Sequence, residues 1–123
     1  MSLLASVAIG GAVGAVLRHA IYSVVGRAEG FPYGTLIVNV LGCFGIGVLL
    51  YLIDQRQSLD IQWRPALVTG LLGSFTTFST FGYETIVLWS AGERLSALTV
   101  VLSNVVFGCA AVAFGWKLGS NLP

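Results

Sequence analysis

Residues 70–82 read GLLGSFTTFSTFG, and four of their hydroxyl side chains, Thr76, Thr77, Ser79 and Thr80, are set around Phe78 and Phe81. Successive residues of an ideal helix turn by about 100°. The hydroxyls then cover one half of the circumference, and the two rings stack three residues apart on the other half. Hydroxyls can donate to a small anion. An aromatic ring is positive along its edge, so a ring presented edge-on solvates an anion weakly, and conduction needs a ligand that also lets go. The plainer reading of Phe at i and i+3 is ordinary helix packing. A single Ser or Thr can bond back to the carbonyl one turn earlier. This density of hydroxyls, with Gly70 and Gly73 one turn before, predicts instead a helix that opens just after Gly73. Freed N–H groups would serve an anion, and freed carbonyls a small cation. Such a break survives at membrane depth only if protein, ion or water covers the freed groups. The competing expectation is an unbroken helix whose hydroxyls bond to their own backbone.

The elements that must position these residues are membrane-length. Of the 123 residues, 56% are hydrophobic and 9% charged, with a mean hydropathy of +0.90. Soluble domains carry roughly a quarter charged residues. The net charge of +1 offers no basic surface for nucleic acid. A bilayer core takes about 20 apolar residues per helix, and charges and prolines cut the chain into four such runs, at about 3–25, 33–53, 65–90 and 95–118. The sequence predicts an all-α membrane protein, one four-helix domain over residues 1–123, with short linkers and antiparallel neighbours. The first run lacks the charged start and small-residue cleavage site of a signal peptide and is read as retained.

Basic residues usually collect on the cytoplasmic side. One side holds Arg56, Arg64 and Lys117; the other holds Arg27 and Arg94, with Arg18 if it snorkels outward. This near-balance fits a chain that inserts both ways up and pairs as an antiparallel two-fold dimer. It fits equally a chain with too few charges for the tally to inform.

Membrane helices associate through small residues and buried polar groups. The first run carries Gly10 and Gly14, with Gly11 and Ala15 offset by one. The second carries Asn39, Gly42, Gly45 and Gly47, and the fourth Ser103, Asn104 and Gly108. Asn39 lies about 6 Å from the centre of its span at 1.5 Å per residue. An amide there needs a partner; it is either interhelical glue or part of a polar route. No carboxylate sits near the middle of a span. Glu84 is the deepest, about 9 Å beyond the centre of the third, while Glu29, Asp54, Asp60 and Glu93 fall in linkers or at helix ends. A proton-coupled multidrug carrier normally keeps an ionisable group in its pathway, so that alternative is disfavoured, and the same absence suits an anion. His19, beside Arg18, reads as interfacial. No nucleophile–base pair can be assembled, which argues against an enzyme. Cys43 and Cys109 sit in apolar runs and read as small hydrophobes.

The segments GTLIVNVLGCFGIG and GLLGSFTTFSTFGYE, with the opening GGAVGAVLRH, resemble the CrcB/Fluc family of fluoride channels across all four spans. The resemblance implies a passive fluoride-selective channel that exports toxic fluoride across a bacterial or archaeal plasma membrane. It implies an antiparallel homodimer in membrane lipid, with two fluoride pathways at the interface and a structural sodium ion on the two-fold axis. Carried onto this chain, the backbone carbonyls of Gly73 and Thr76 hold the sodium. Phe78 and Phe81 present ring edges to the pore, Ser79, Thr80 and Ser103 supply hydroxyls, and Asn39 is an amide donor. Arg18 and Glu84 match vestibule residues. The family often has a tyrosine one turn before its pore serine, and Thr99 stands there if Ser103 is that serine; Asn104 is the neighbouring candidate. A pairing of two homologous chains stays compatible with the sequence, as does a membrane scaffold that moves no ion.

Overall fold

The computed structural model describes residues 2–25 and 30–122; Arg27 and Glu29 lie outside the described residues. α1 spans Leu3–Val25, and Ser2 Oγ accepts the Ala5 N–H at 3.2 Å at its start, satisfying one of the donors a helix N-terminus leaves open. α2 spans Tyr33–Leu50 and runs on as a wider π-turn over Tyr51–Gln55. Gln57, at φ 53°, ends this helix. The N–H groups of Ser58 and Leu59 fold back onto Leu52 O at 3.0 and 3.3 Å. A single 3₁₀ turn, Ile61–Trp63, is capped by Asp60, which accepts from Gln62 N. The Arg64–Asp54 ion pair, 3.2 Å, ties the two ends of this linker together.

The third span is built in pieces. A π-helical segment, Pro65–Leu72, begins with proline, whose missing N–H is harmless in a first turn. It passes into a single α-turn, α3, Gly73–Phe75. The chain is then extended at Thr76 (φ −82°, ψ 161°) and Thr77 (φ −151°, ψ 109°). α4 follows over Phe78–Ser90. The helix therefore breaks as the sequence predicts, but two residues later: Gly73 through Phe75 stay helical and the chain opens at Thr76. Gly92 turns the chain at φ +84°, and the Glu93 N–H returns to Leu88 O at 3.0 Å, closing the C-terminus of α4 as glycine-ended helices commonly close. α5 is a single rod, Arg94–Asn121.

Among the described residues, three helices are long and apolar enough to cross a membrane, those over Leu3–Val25, Tyr33–Gln55 and Arg94–Asn121. The third span is not among them because its interruption leaves neither half long enough. The helices pack as two close pairs, α1 with the π-helical segment and α2 with α5. Both pairs bring backbone against backbone. A Cβ on Gly10 would strike the Ala66 carbonyl, and one on Gly70 would meet Val7 O at 2.6 Å; likewise Gly47 faces the Val112 carbonyl and Gly115 the Phe44 carbonyl. Glycine is what permits this contact in lipid, where close packing replaces the hydrophobic drive. α4 leans on α5 through Leu88, Ala97 and Val100, with Phe31 and Phe81 packed at the edge.

Gly115→Val is expected to lower the thermal stability of the purified protein by about 1–3 kcal/mol or to prevent its recovery, because the clash is with main chain. Gly82→Ala, where a Cβ meets nothing within 4 Å, should leave it within about 0.5 kcal/mol. Equal melting of the two variants would show that the glycine seams do not hold the fold.

Candidate functional site: a helix break clasped by asparagine

Two residues of extended chain in the middle of a span free peptide groups that must be covered. The first half ends with Thr76 N–H and Thr76 Oγ1 both on Leu72 O, each at 3.0 Å. In a continuous helix Thr77 N–H would bond Gly73 O. Here it bonds Asn39 Oδ1 at 2.9 Å. Asn39 Nδ2 donates to Thr77 O at 3.3 Å and to Asn104 Oδ1 at 3.0 Å, and Asn104 Nδ2 donates to Val100 O at 2.9 Å. The Asn39 amide thus clasps both peptide groups of Thr77, as a neighbouring strand would, and α5 holds the clasp. Arg18 reaches the break from α1, donating from Nη1 to Thr76 O at 3.3 Å.

The second half starts under its own cap. Thr77 Oγ1 accepts the Thr80 N–H at 3.3 Å, donates to Thr80 Oγ1 at 2.9 Å and lies 3.4 Å from Ser79 Oγ. The hydroxyl-rich sequence therefore caps a helix after a break, the role Thr fills well, and leaves Ser79 exposed and Thr80 half-buried. Phe78 and Phe81 stack with centroids 5.4 Å apart and planes at 49°, but they part company in burial. Phe78 is 83% exposed, while Phe81 rests against the Leu88–Val100 cluster. An open cavity of about 400 Å³ lies over the break, lined among others by Asn39, Gly73, Thr76, Thr77, both phenylalanines and Asn104.

The remaining candidates sit away from this cavity's polar wall. Ser103 Oγ bonds Val100 O at 3.2 Å and Thr99 Oγ1 bonds Leu95 O at 2.9 Å, both satisfied within their own helix. Glu84 is half-buried, and its Oε2 is buried with no hydrogen-bond partner among the described residues. Two residues escaped the sequence reading. Thr35 is fully buried, and its hydroxyl pairs with Tyr22 OH at 2.9 Å, joining α1 to α2. Cys43, read from sequence as a plain hydrophobe, also lines the cavity. Thr35 is the third residue of α2, and no sequence signal marked it.

Apolar helices sealed by glycine seams around a capped, clasped break define a multi-pass α-helical membrane protein with a polar lesion at membrane depth. The family model described as CrcB-like protein, Camphor Resistance (CrcB), matches residues 5–116, and the chain belongs to that family. It is 49% identical over 121 residues to a protein of Chloroflexus aurantiacus named fluoride-specific ion channel FluC, covering 97% of this chain and 96% of that protein. Proteins of the same name from Paracoccus denitrificans (44% identical, 94% of this chain and 93% of that one) and Roseiflexus sp. (44% identical, the full length of both) are similar throughout. These relatives are named as channels, not enzymes.

Asn39→Ala removes all three bonds of the clasp and leaves the Thr77 peptide groups unpaired. At about 1–3 kcal/mol per orphaned buried group, the protein is expected to melt well below wild type in detergent, whereas Ser103→Ala, which removes only a bond within its own helix, should hardly shift it. Similar melting of Asn39→Ala and wild type would mean that Asn39 does not hold the break.

Proposed function

We propose that this chain forms a passive, fluoride-selective channel through which toxic fluoride leaves the cell across the plasma membrane. The observation that carries the reading is the break itself: Thr76, Thr77, Phe78 and Phe81 border an open cavity where a span should be sealed. Its membership of a family whose relatives are named fluoride-specific channels supports the choice of ion.

The working unit in this reading is an antiparallel dimer of two identical chains. A ring as exposed as Phe78 and a cavity open on one side suit completion by a second copy, and the pathway runs along that seam. Fluoride is small and strongly hydrated, so it gives up water only to several donors at close range. Ser79 and Thr80 supply hydroxyls, the rings of Phe78 and Phe81 supply weakly positive edges, and the first turn of α4 supplies N–H groups that its own helix leaves open. Ser103 joins the track if its hydroxyl turns from Val100 O. Asn39 has both amide hydrogens engaged, so its contribution is to hold this set in place, and donation to the ion would require releasing one of them. Glu84 stands on the approach, and Arg18 bonds the break at Thr76 O.

A sodium ion fits the carbonyl side of the break in part. Gly73 O has lost its usual donor to Asn39, and Gly73 is exposed, so it is available to a cation. Thr76 O is shared with Arg18 but keeps a second lone pair. Gly73 and Thr76 of each chain would hold the ion, which supplies fixed positive charge between the two copies.

Glu84 is the one observation favouring a proton-coupled carrier, since a buried carboxylate oxygen without a partner is a common proton site. The two readings separate in proteoliposomes loaded with fluoride. Wild type should release fluoride down its gradient with no pH gradient required, chloride should stay, and Phe81→Ile should lower the rate by about 10-fold or more, the loss of over 1.4 kcal/mol of ion stabilisation, while the dimer persists. Fluoride release that needs a proton gradient would replace the channel by a carrier; no release under either condition would leave a scaffold.

A further inference from the structure

The π-winding of residues 65–72 has a partner in α1. Three residues of α1 stand four apart, Gly10, Gly14 and Arg18, and so share one face of that helix. Each meets one carbonyl of the third span: Gly10 lies against Ala66 O and Gly14 against Leu71 O, and Arg18 donates to Thr76 O at 3.3 Å. These carbonyls stand five apart, the period at which a π-helix repeats its bonds. Four residues of α1 rise about 6 Å, and over that rise the third span advances from Ala66 O to Leu71 O. The wide winding carries the first step, from Ala66 to Leu71, and the α-turn Gly73–Phe75 with the extended Thr76 carries the second. The first two carbonyls are accepted by absent side chains, and the third, at the chain's break, by a guanidinium. Thr76 O is also the negative end of the first half-helix, where a cation is favoured. Among the described residues the only ion pair is Arg64–Asp54, so the Arg18 charge is committed to this carbonyl.

We infer that Arg18 is a positioning residue: with Gly10 and Gly14 it forms a register stripe that fixes where along the membrane normal the third span opens. Asn39 holds the Thr77 side of the break from α2, and Arg18 holds the Thr76 side from α1. This differs from the vestibule role, in which the same charge gathers anions at the entrance. A gathering charge acts on apparent affinity, whereas a register clamp acts on how many molecules have a correctly formed path.

The flux arm of the test rests on the fluoride-channel reading, and a second arm does not. In proteoliposomes, Arg18→Ala should lower the maximal fluoride flux about 10-fold or more, as expected for losing a charged hydrogen bond. The half-saturating fluoride concentration should stay within about twofold of wild type, and Arg18→Lys should restore part of the flux. In the second arm, Cys43, which lines the cavity beside Thr76, is titrated with a small methanethiosulfonate in a Cys109→Ala background, and Arg18→Ala should change its rate of modification several-fold. A change confined to half-saturation would overturn the clamp in favour of anion gathering. Wild-type flux with wild-type Cys43 reactivity would overturn it altogether. If Arg18→Ala does not fold, Arg18→Lys carries both arms, with smaller changes in the same directions. If wild type moves no fluoride, the channel reading fails and the Cys43 arm still decides the clamp.

Discussion

A peptide group stranded in hydrocarbon costs several kcal/mol, and this chain strands the groups of Thr77 at the depth where that cost is greatest. The amide of Asn39 removes it. Its oxygen takes the Thr77 N–H at 2.9 Å, and its nitrogen gives to Thr77 O at 3.3 Å. An asparagine is suited to this because its side chain carries the donor and acceptor pattern of a peptide. The break in the third span depends on that exchange. Because Thr77 N–H goes to Asn39, Gly73 O is released, the Thr77 side chain becomes a cap, and α4 begins anew with the rings of Phe78 and Phe81 beside a cavity.

The rest of the fold supplies the rigidity that the clasp needs. Asn39 can reach Thr77 only if α2 stays in register, and α2 is fixed to α5 by reciprocal glycine contacts, Gly47 on Val112 and Gly115 on Phe44. Asn104 of α5 then holds the free hydrogen of the Asn39 amide, so the same pair of helices that packs most closely also orients the polar residue. On the other flank α1 and the π-helical segment form a second glycine seam, and Arg18 at its end bonds the last carbonyl before the break. The polar lesion is held between two close-packed pairs, and α4 is left to lean on α5 with Phe78 facing outward.

Helix number and placement were legible in the sequence because they follow from length and hydropathy, which are local properties. The interruption was legible too, from hydroxyls too dense for a lipid-facing helix. Its position was not. Glycine weakens a helix, and local reasoning put the opening after Gly73, yet Gly73 stays helical and the chain opens at Thr76. The decision lies with Asn39, 38 residues away, and no window of sequence around Gly73 contains it. Asn39 and Asn104 were recognisable as groups needing partners, but not as each other's. The stack of Phe78 and Phe81 followed from their spacing, whereas their unequal burial depended on where α5 lies. The π-wound turns over Pro65–Leu72 left no sequence signal.

The break rests on the conformation of two residues in a bilayer. Solid-state NMR chemical shifts of Thr76 and Thr77 in lipid-reconstituted protein measure it directly. Extended-type shifts at both, between helical shifts at Phe75 and from Phe78 onward, are the predicted result. Helical shifts running without interruption from Leu72 through Phe81 would contradict it.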